Sequence, residues 1–328
     1  MNLPSVVGNP RIARLLWVCA CIMVARISGA AQAFTPEGKE LSFTTAYNYV
    51  AFGGHFRSDG SKTPEAAAKA QSVLFGLEYG ITDKFAVTFS VPIVATRYAS
   101  ANPPSDVLKV LFNEALQSVG HGFYGHQFLD DGQYHATIQD LYFSARYNLL
   151  QHSFLLTPFV AVGTPSHDYA YVGEAAPGRN LPEVQFGTYV GRGLGPFLRN
   201  AFVEGQFSCA IPEESLNVRT VRTNLAFEFD YLFTRKFAVR GIANWQHTFN
   251  GLHFPRDLTT PELALTHERL LKANYWHLGG GIAYSVTPKT DISADFVTFV
   301  SGSDTHYGTG VSVSVTRAIN LGFRKQQD

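Results

Sequence analysis

The 328-residue chain is poor in cysteine: of its three, Cys19 and Cys21 lie in an apolar run near the N-terminus, and Cys209 stands alone in the body. A single cysteine excludes the disulfide framework that holds many exported domains together. Beyond that first run no stretch of roughly 18 or more apolar residues occurs, which excludes a chain that crosses a membrane on helices. Charge of one sign is lacking too, because 26 Lys and Arg balance 26 Asp and Glu. With no basic stripe, nucleic acid is not an expected partner. Charged residues make up only 16% of the chain and methionines number 2.

Aromatic residues, by contrast, reach 13%, and there are 29 glycines. This mixture suits pleated sheet better than helical bundles. Residues 75–92, FGLEYGITDKFAVTFSVP, carry the main pattern. Val73, Phe75, Leu77 and Tyr79 alternate with Gly76, Glu78 and Gly80, and Phe85, Val87, Phe89 and Val91 alternate with Ala86, Thr88 and Ser90. A period of two marks a strand with two unlike faces, around a turn at Ile81-Thr82-Asp83-Lys84.

The N-terminus reads as an export leader. Arg11 and Arg14 supply the positive region, Leu15–Ala25 the apolar run, and Ala31-Gln32-Ala33 a small-x-small cleavage site, so residues 1–33 are expected to be removed and the mature chain to start at Phe34. Lipoprotein processing at Cys21, after Val18-Cys19-Ala20, is the competing reading.

The alternation recurs in about twelve segments: 40–52, 71–80, 85–97, 137–149, 154–163, 183–192, 198–210, 219–231, 237–249, 274–286, 290–300 and 309–323. Roughly ten residues is the length of a tilted membrane strand. Short turns follow the even segments, and longer connections (53–70, 98–136, 164–182, 211–218, 250–273, 301–308) follow the odd ones. That wiring puts tight turns on one side and loops on the other, as in an outer-membrane barrel with an even strand count. Tyr79, Phe85, Tyr147, Phe154, Tyr231, Phe237 and Tyr284 flank the short turns, where an aromatic girdle would sit. The expected fold is all-β: a transmembrane up-and-down antiparallel β-barrel spanning 34–328, its apolar face turned to lipid. Helices are expected in three long loops, at Pro64–Ala70, at Ser105–Ser118 and from Thr260-Pro261-Glu262 onward.

The order of LEYGITDKFAVTFSVPIV, DDGQYHATIQDLYFSARYNLL, LTPFVAVGTPSHDY and HLGGGIAYSVTPKTDISADF resembles the outer-membrane barrels of the transporter-like group named for the MetA pathway of phenol degradation, over residues 40–323. The resemblance implies a barrel that passes small, often hydrophobic compounds, and it carries over no active site. It also implies insertion by the barrel-assembly machinery into outer-membrane lipid. Where such chains end on an aromatic, this one continues past Phe323 as Arg324-Lys325-Gln326-Gln327-Asp328, and Arg317 stands on the apolar register of the last strand.

Signs of chemistry are few. His247-Thr248-Phe249-Asn250 only loosely resembles the nucleophile and base pairing of a barrel lipase, and no acyl-enzyme nucleophile stands out. His121, His126 and His135 share a loop with Asp130 and Asp131 but lack metal-ligand spacing. No catalytic, cofactor or metal residue is therefore assigned. The polar register instead aims Glu78, Asp140, Arg146, Glu204, Arg222, Glu228, Asp230, Arg240 and Asp295 into the lumen, six acidic to three basic. The expectation is a passive, cofactor-free channel of a Gram-negative-type outer membrane, for small solutes, hydrophobic or aromatic ones among them. A sealed structural or adhesive barrel with partner-binding loops, or a barrel hydrolase, are the alternatives.

Overall fold

The computed structural model describes residues 33–99, 129–151, 154–173, 175–260, 263 and 266–321, leaving aside the side chains of 65–67 and 99. Twelve antiparallel staves form one sheet. They are β1 (Glu40–Phe56), β2 (Lys62–Thr82), β3 (Phe85–Ala99), β4 (His135–Ile138 continued by Asp140–Tyr147), β5 (Leu155–Pro165), β6 (Glu183–Gly193), β7 (Ala201–Pro212), β8 (Arg222–Leu232), β9 (Phe237–Thr248), β10 (Asn274–Thr287), β11 (Thr290–Ser303) and β12 (Thr305–Asn320). Each pairs with its sequence neighbour, and β12 returns to β1 from Glu40↔Asn320 to Phe56↔Thr305, so the sheet closes. Closure gives every stave a paired neighbour on each side, the condition lipid imposes on a spanning sheet.

The faces divide by parity. Phe75, Leu77, Phe143, Val160, Val162, Phe186, Phe207, Leu225, Phe227, Leu278, Ile282, Phe296, Val311 and Val313 point outward and are each more than a third exposed. The alternate positions, among them Ala86, Val94, Thr157, Ser208, Ser293 and Ser314, are buried inside. An apolar exterior around a polar interior is the reverse of a water-soluble barrel. Trp245 and Trp276 pair at 6.2 Å toward the loop end of this outer band. Tyr147, Phe154, Phe233 and Tyr284 mark its turn end. Arg317 also points outward, near the turn end, opposite Phe43 and Thr290. Cys209 stands on the outward register, opposite Thr223 of β8 and Phe186 of β6.

Two expected loops are mostly strand. The 53–70 connection shrinks to the turn 57–61, and Pro64–Ala70, expected to be helical, extends β2 along β1 and β3. Helix propensity in an Ala-rich run is a preference of well under 1 kcal/mol per residue, and ladder hydrogen bonds to two neighbours override it. Small side chains also suit the site, where Ala68 and Ala70 are buried against Phe52 and Tyr98. The 301–308 connection shrinks to Asp304, whose φ of 53° makes the tight reversal. The Ser105–Ser118 run lies outside the described residues. In the third loop Leu263 N–H donates to Thr260 Oγ1 at 3.3 Å, and a single-turn helix, α1, follows at His267–Leu270. No helix among the described residues is long and apolar enough to cross a membrane.

β4 bends at Gln139. Its pairing with β3 shifts between Ser90↔Tyr142 and Ile93↔Ile138, and Gln139 N–H donates to Pro92 O at 2.9 Å. Pro92 has no N–H to donate, so a bulge on the neighbouring strand is the natural accommodation. Its consequence is functional: Gln139 and Asp140 are both buried, while Ile138 faces out.

The extended β11, β12, β1, β2 and β3 make one side of the loop end tall. Onto this wall fold the connections 166–182 and 249–273. Thr96 Oγ1 donates to Ala175 O, and Ala175 N–H donates to Asp130 Oδ1 at 2.7 Å. His253 Nδ1 and Phe254 N–H reach the two oxygens of Asp304 at 2.9 and 2.8 Å. Burial pushes the Asp304 carboxyl above its ordinary range, against the pull of these partners.

Candidate functional site: the barrel lumen

The inward side chains enclose a cavity of about 440 Å³. Its walls are polar through Asn48, Ser72, Gln185, Gln206, Asn224 and Asn244, and aromatic through Tyr142, Phe159, Tyr189, Tyr275 and Phe299. Strand parity explains the mixture, since each stave offers every second residue to the lumen.

All nine sequence-expected residues stand on the inward register, though not as one cluster. Arg146, 4% exposed, pairs with Glu78. Arg222 pairs with Glu183, which lies two strands away on β6. Arg240 faces three carboxylates, with Asp230 at 3.4 Å and Glu228 and Asp295 at 3.6 Å. These distances are ion-pair contacts, longer than ideal hydrogen bonds. The Arg240 side chain crosses Gly281 of β10 to reach Asp295 on β11. A Cβ at Gly281 would approach the Asp295 carboxylate to 2.0 Å, so this glycine keeps the crossing open. Glu204 lies opposite Glu228 in the β7–β8 register. Asp140, at the bulge, accepts from Tyr169 Oη at 2.6 Å and belongs to the upper wall.

Two further groups of residues lie at the two ends of the lumen, outside the nine charged positions. At the loop end, Tyr169, Tyr171, Val172, Ala175, Ala176 and Leu181 are all at most 8% exposed and form a roof. Arg269 of α1 bolts it: its Nε donates to Arg179 O at 2.5 Å, its Nη2 to Asn180 O at 2.9 Å, and its guanidinium lies 3.2 Å from the Tyr171 ring centroid. Burial pulls this guanidinium below its ordinary value, with Tyr171 and Tyr169 opposing. At the turn end the segment 33–38 enters the barrel. Glu183 was legible in principle, as the first inward-parity position of β6. The roof and the entering segment carry no such signal, because their placement depends on loops meeting the tall wall.

Expected alternatives for chemistry do not assemble. His247 stacks on Trp245 on the outer face, whereas Thr248 points inward and donates to Ala273 O at 2.7 Å. Adjacent residues of one strand face opposite ways, so they cannot act as nucleophile and base on one substrate. His135 Nε2 meets Asp131 Oδ1 at 2.8 Å, while Asp130 is committed to the roof. His121 and His126 lie outside the described residues. Among the described residues no group of three or more His, Cys, Asp and Glu is arranged to hold a metal ion.

No family model matches the chain, and no curated protein matches it by sequence. Among solved structures it resembles the COG4313 outer membrane channel from Pseudomonas putida F1, with a TM-score of 0.65 and 11% identity over 89% of this chain and 99% of that one. Looser likenesses are to the translocator domain of the autotransporter NalP from Neisseria meningitidis (TM-score 0.46, 8% identity, covering 86% and 89%) and to the Pseudomonas putida toluene transporter TodX (TM-score 0.41, 11% identity, covering 94% and 96%). At these identities the first likeness speaks for the fold alone: a closed barrel of the outer-membrane type. The two looser ones carry no argument.

Proposed function

We propose that the protein is a passive channel of a Gram-negative-type outer membrane. It is exported by its N-terminal leader, inserted by the barrel-assembly machinery, and passes small solutes, hydrophobic or aromatic ones among them. The observation that carries this reading is the lumen: a chamber of about 440 Å³ walled by polar and aromatic side chains inside an apolar exterior. A volume of a few hundred Å³ suits one small organic molecule. The fold shared with a structure described as an outer membrane channel supports it. The lumen-lining role belongs to Glu78, Asp140, Arg146, Glu204, Arg222, Glu228, Asp230, Arg240 and Asp295, with Glu183 added. Carboxylates outnumber arginines in this set, which favours cations and neutral solutes over anions.

In planar bilayers the purified barrel is expected to give small discrete conductance steps, with liposome swelling in small neutral solutes. A folded barrel that shows neither is a sealed, structural one. Orientation has its own check. A cysteine at Thr259, in the 249–273 connection, should react on intact cells with an impermeant thiol reagent, and one at Thr287, beside the Pro288-Lys289 turn, should not. The reverse pattern would invert the barrel, and equal labelling of both would argue against a spanning barrel.

A further inference from the structure

Residues 33–38 run back from β1 over the turn-end mouth, and the segment is seated at Ala33, while Phe34 and Glu37 stay exposed. Ala33 is fully buried. Its N–H donates to Glu204 Oε2 at 2.8 Å, and its carbonyl accepts from Thr157 Oγ1 at 2.6 Å and Asn148 Nδ2 at 3.3 Å. Arg146 Nη2 donates to Phe34 O at 3.1 Å, and the Phe34 ring lies 5.4 Å from Phe202. Thr35 Oγ1 donates to Asp83 O at 2.6 Å, and Gly38 N–H to Asp83 Oδ1 at 2.8 Å. Its partners lie in the β2–β3 turn and on or beside β4, β5 and β7, so the segment reaches from the start of β1 to the stave six places round the turn-end mouth. Glycines make the room. A Cβ on Gly80 would stand 2.2 Å from Glu37 O, and one on Gly191 would stand 2.9 Å from Ala33 Cβ.

We propose that this segment is retained in the mature protein and acts as a plug closing the periplasmic end of the conduit. The proposal rests on the export and channel reading above. Retention moves the expected cut. Cleavage after Ala33 would discard the residue with the deepest seat, whereas Ser28-Gly29-Ala30 offers a second small-x-small site that leaves Ala31 first. That cut also places a free ammonium within two residues of Ala33, no more than about 7 Å of chain. The lumen there is acid-rich: Arg240 faces Glu228, Asp230 and Asp295, Arg146 is matched by Glu78, and Glu204 holds the Ala33 N–H. A cationic or bulky solute entering from above would compete for this acid-rich seat.

The test uses the full-length precursor, expressed and purified from outer membranes. Intact mass should give a chain beginning at Ala31; one beginning at Phe34 overturns retention. With Cys209→Ser as background, Ala33→Cys places a lone thiol in the seat. A water-soluble maleimide should label it slowly, and adding Gly80→Val, whose side chain displaces the Glu37 carbonyl, should speed labelling roughly tenfold, the change that about 1.4 kcal/mol of lost seating gives. Equal rates in the two backgrounds overturn the plug. Should Gly80→Val fail to give a heat-modifiable folded band, Asn148→Ala with Thr157→Ala removes both donors to the Ala33 carbonyl and serves the same comparison. In bilayers the unseated variants should spend several-fold longer open than the parent. If labelling accelerates while no form conducts, the plug stands and the channel reading falls.

Discussion

Phe227→Arg should lower the stability of the folded barrel by roughly 2–4 kcal/mol, while Glu228→Gln, one residue away, should leave it nearly unchanged. Phe227 is 49% exposed on the outward face of β8, and Glu228 points inward to Arg240. A guanidinium in the lipid midplane loses its water and finds no partner, at the cost stated. Glu228 is one of three carboxylates around a single arginine, so its charge is the most easily spared. Both effects are measured by denaturant unfolding in detergent or bilayers, with heat-modifiable migration as the check on folding. Tolerance of Phe227→Arg together with unfolding by Glu228→Gln would exchange inside and outside and sink the membrane reading.

The same parity argument shows why so much of the barrel could be read from sequence. The alternation places strand β8 at 219–231, within three residues of its start and one of its end, because Leu225, Phe227 and Phe229 alternate without a break beside Asn224, Glu228 and Asp230. Lipid on one side and a polar lumen on the other impose that alternation, and any slip by one residue would reverse every side chain. The legible signal fades where that pressure ends. Above the apolar band both faces of β1, β2, β11 and β12 meet protein or water, so residues 53–56 and 62–70 lack the pattern and read in sequence as loop or helix. His55 and His306, fully buried at that level, belong to a packed wall and not to a membrane strand. At Gln139 the bulge places two successive residues inside, which a strict period of two cannot represent.

For the lumen, the sequence supplied identities without partnerships. The nine charged positions follow from parity alone, but Arg222 could have been assigned to any neighbouring acid, and its partner proves to be Glu183 on β6. Pairing across two strands depends on barrel curvature and on the small inward residue between them, Ala210, which faces Arg222 and Gln185 in the registers of β7. Gly281 plays the equivalent part beneath Arg240. The roof and the seat of Ala33 escape the pattern for a different reason: their contacts join residues far apart in sequence, such as Arg269 with Arg179, or Ala33 with Glu204, and no periodicity encodes them.

Arg240→Gln is the second substitution with a large expected effect, and it probes how dry the lumen is. The Arg240 side chain is 7% exposed and Asp295 4%, so removing the guanidinium strands carboxylates that cannot reach bulk water freely. Breaking a fully buried pair in this way costs about 3–5 kcal/mol. Here Glu228 is a third exposed and the contacts run to 3.6 Å, so lumen water screens part of the loss. The expected destabilisation is about 2–3 kcal/mol, below that range because of this screening. Neutralising the acids should then rescue: Arg240→Gln with Asp295→Asn is expected to recover most of the stability, and adding Glu228→Gln to recover more. Conduction gives the independent readout. Arg240→Gln alone uncovers negative charge and should raise the cation-to-anion permeability ratio, and the rescued variants should return it toward the parent value. A fully hydrated lumen would make Arg240→Gln neutral in stability while still changing selectivity. Loss of stability without rescue by the paired variants would mean that the arginine packs the lumen as a bulky side chain and that its charge is incidental.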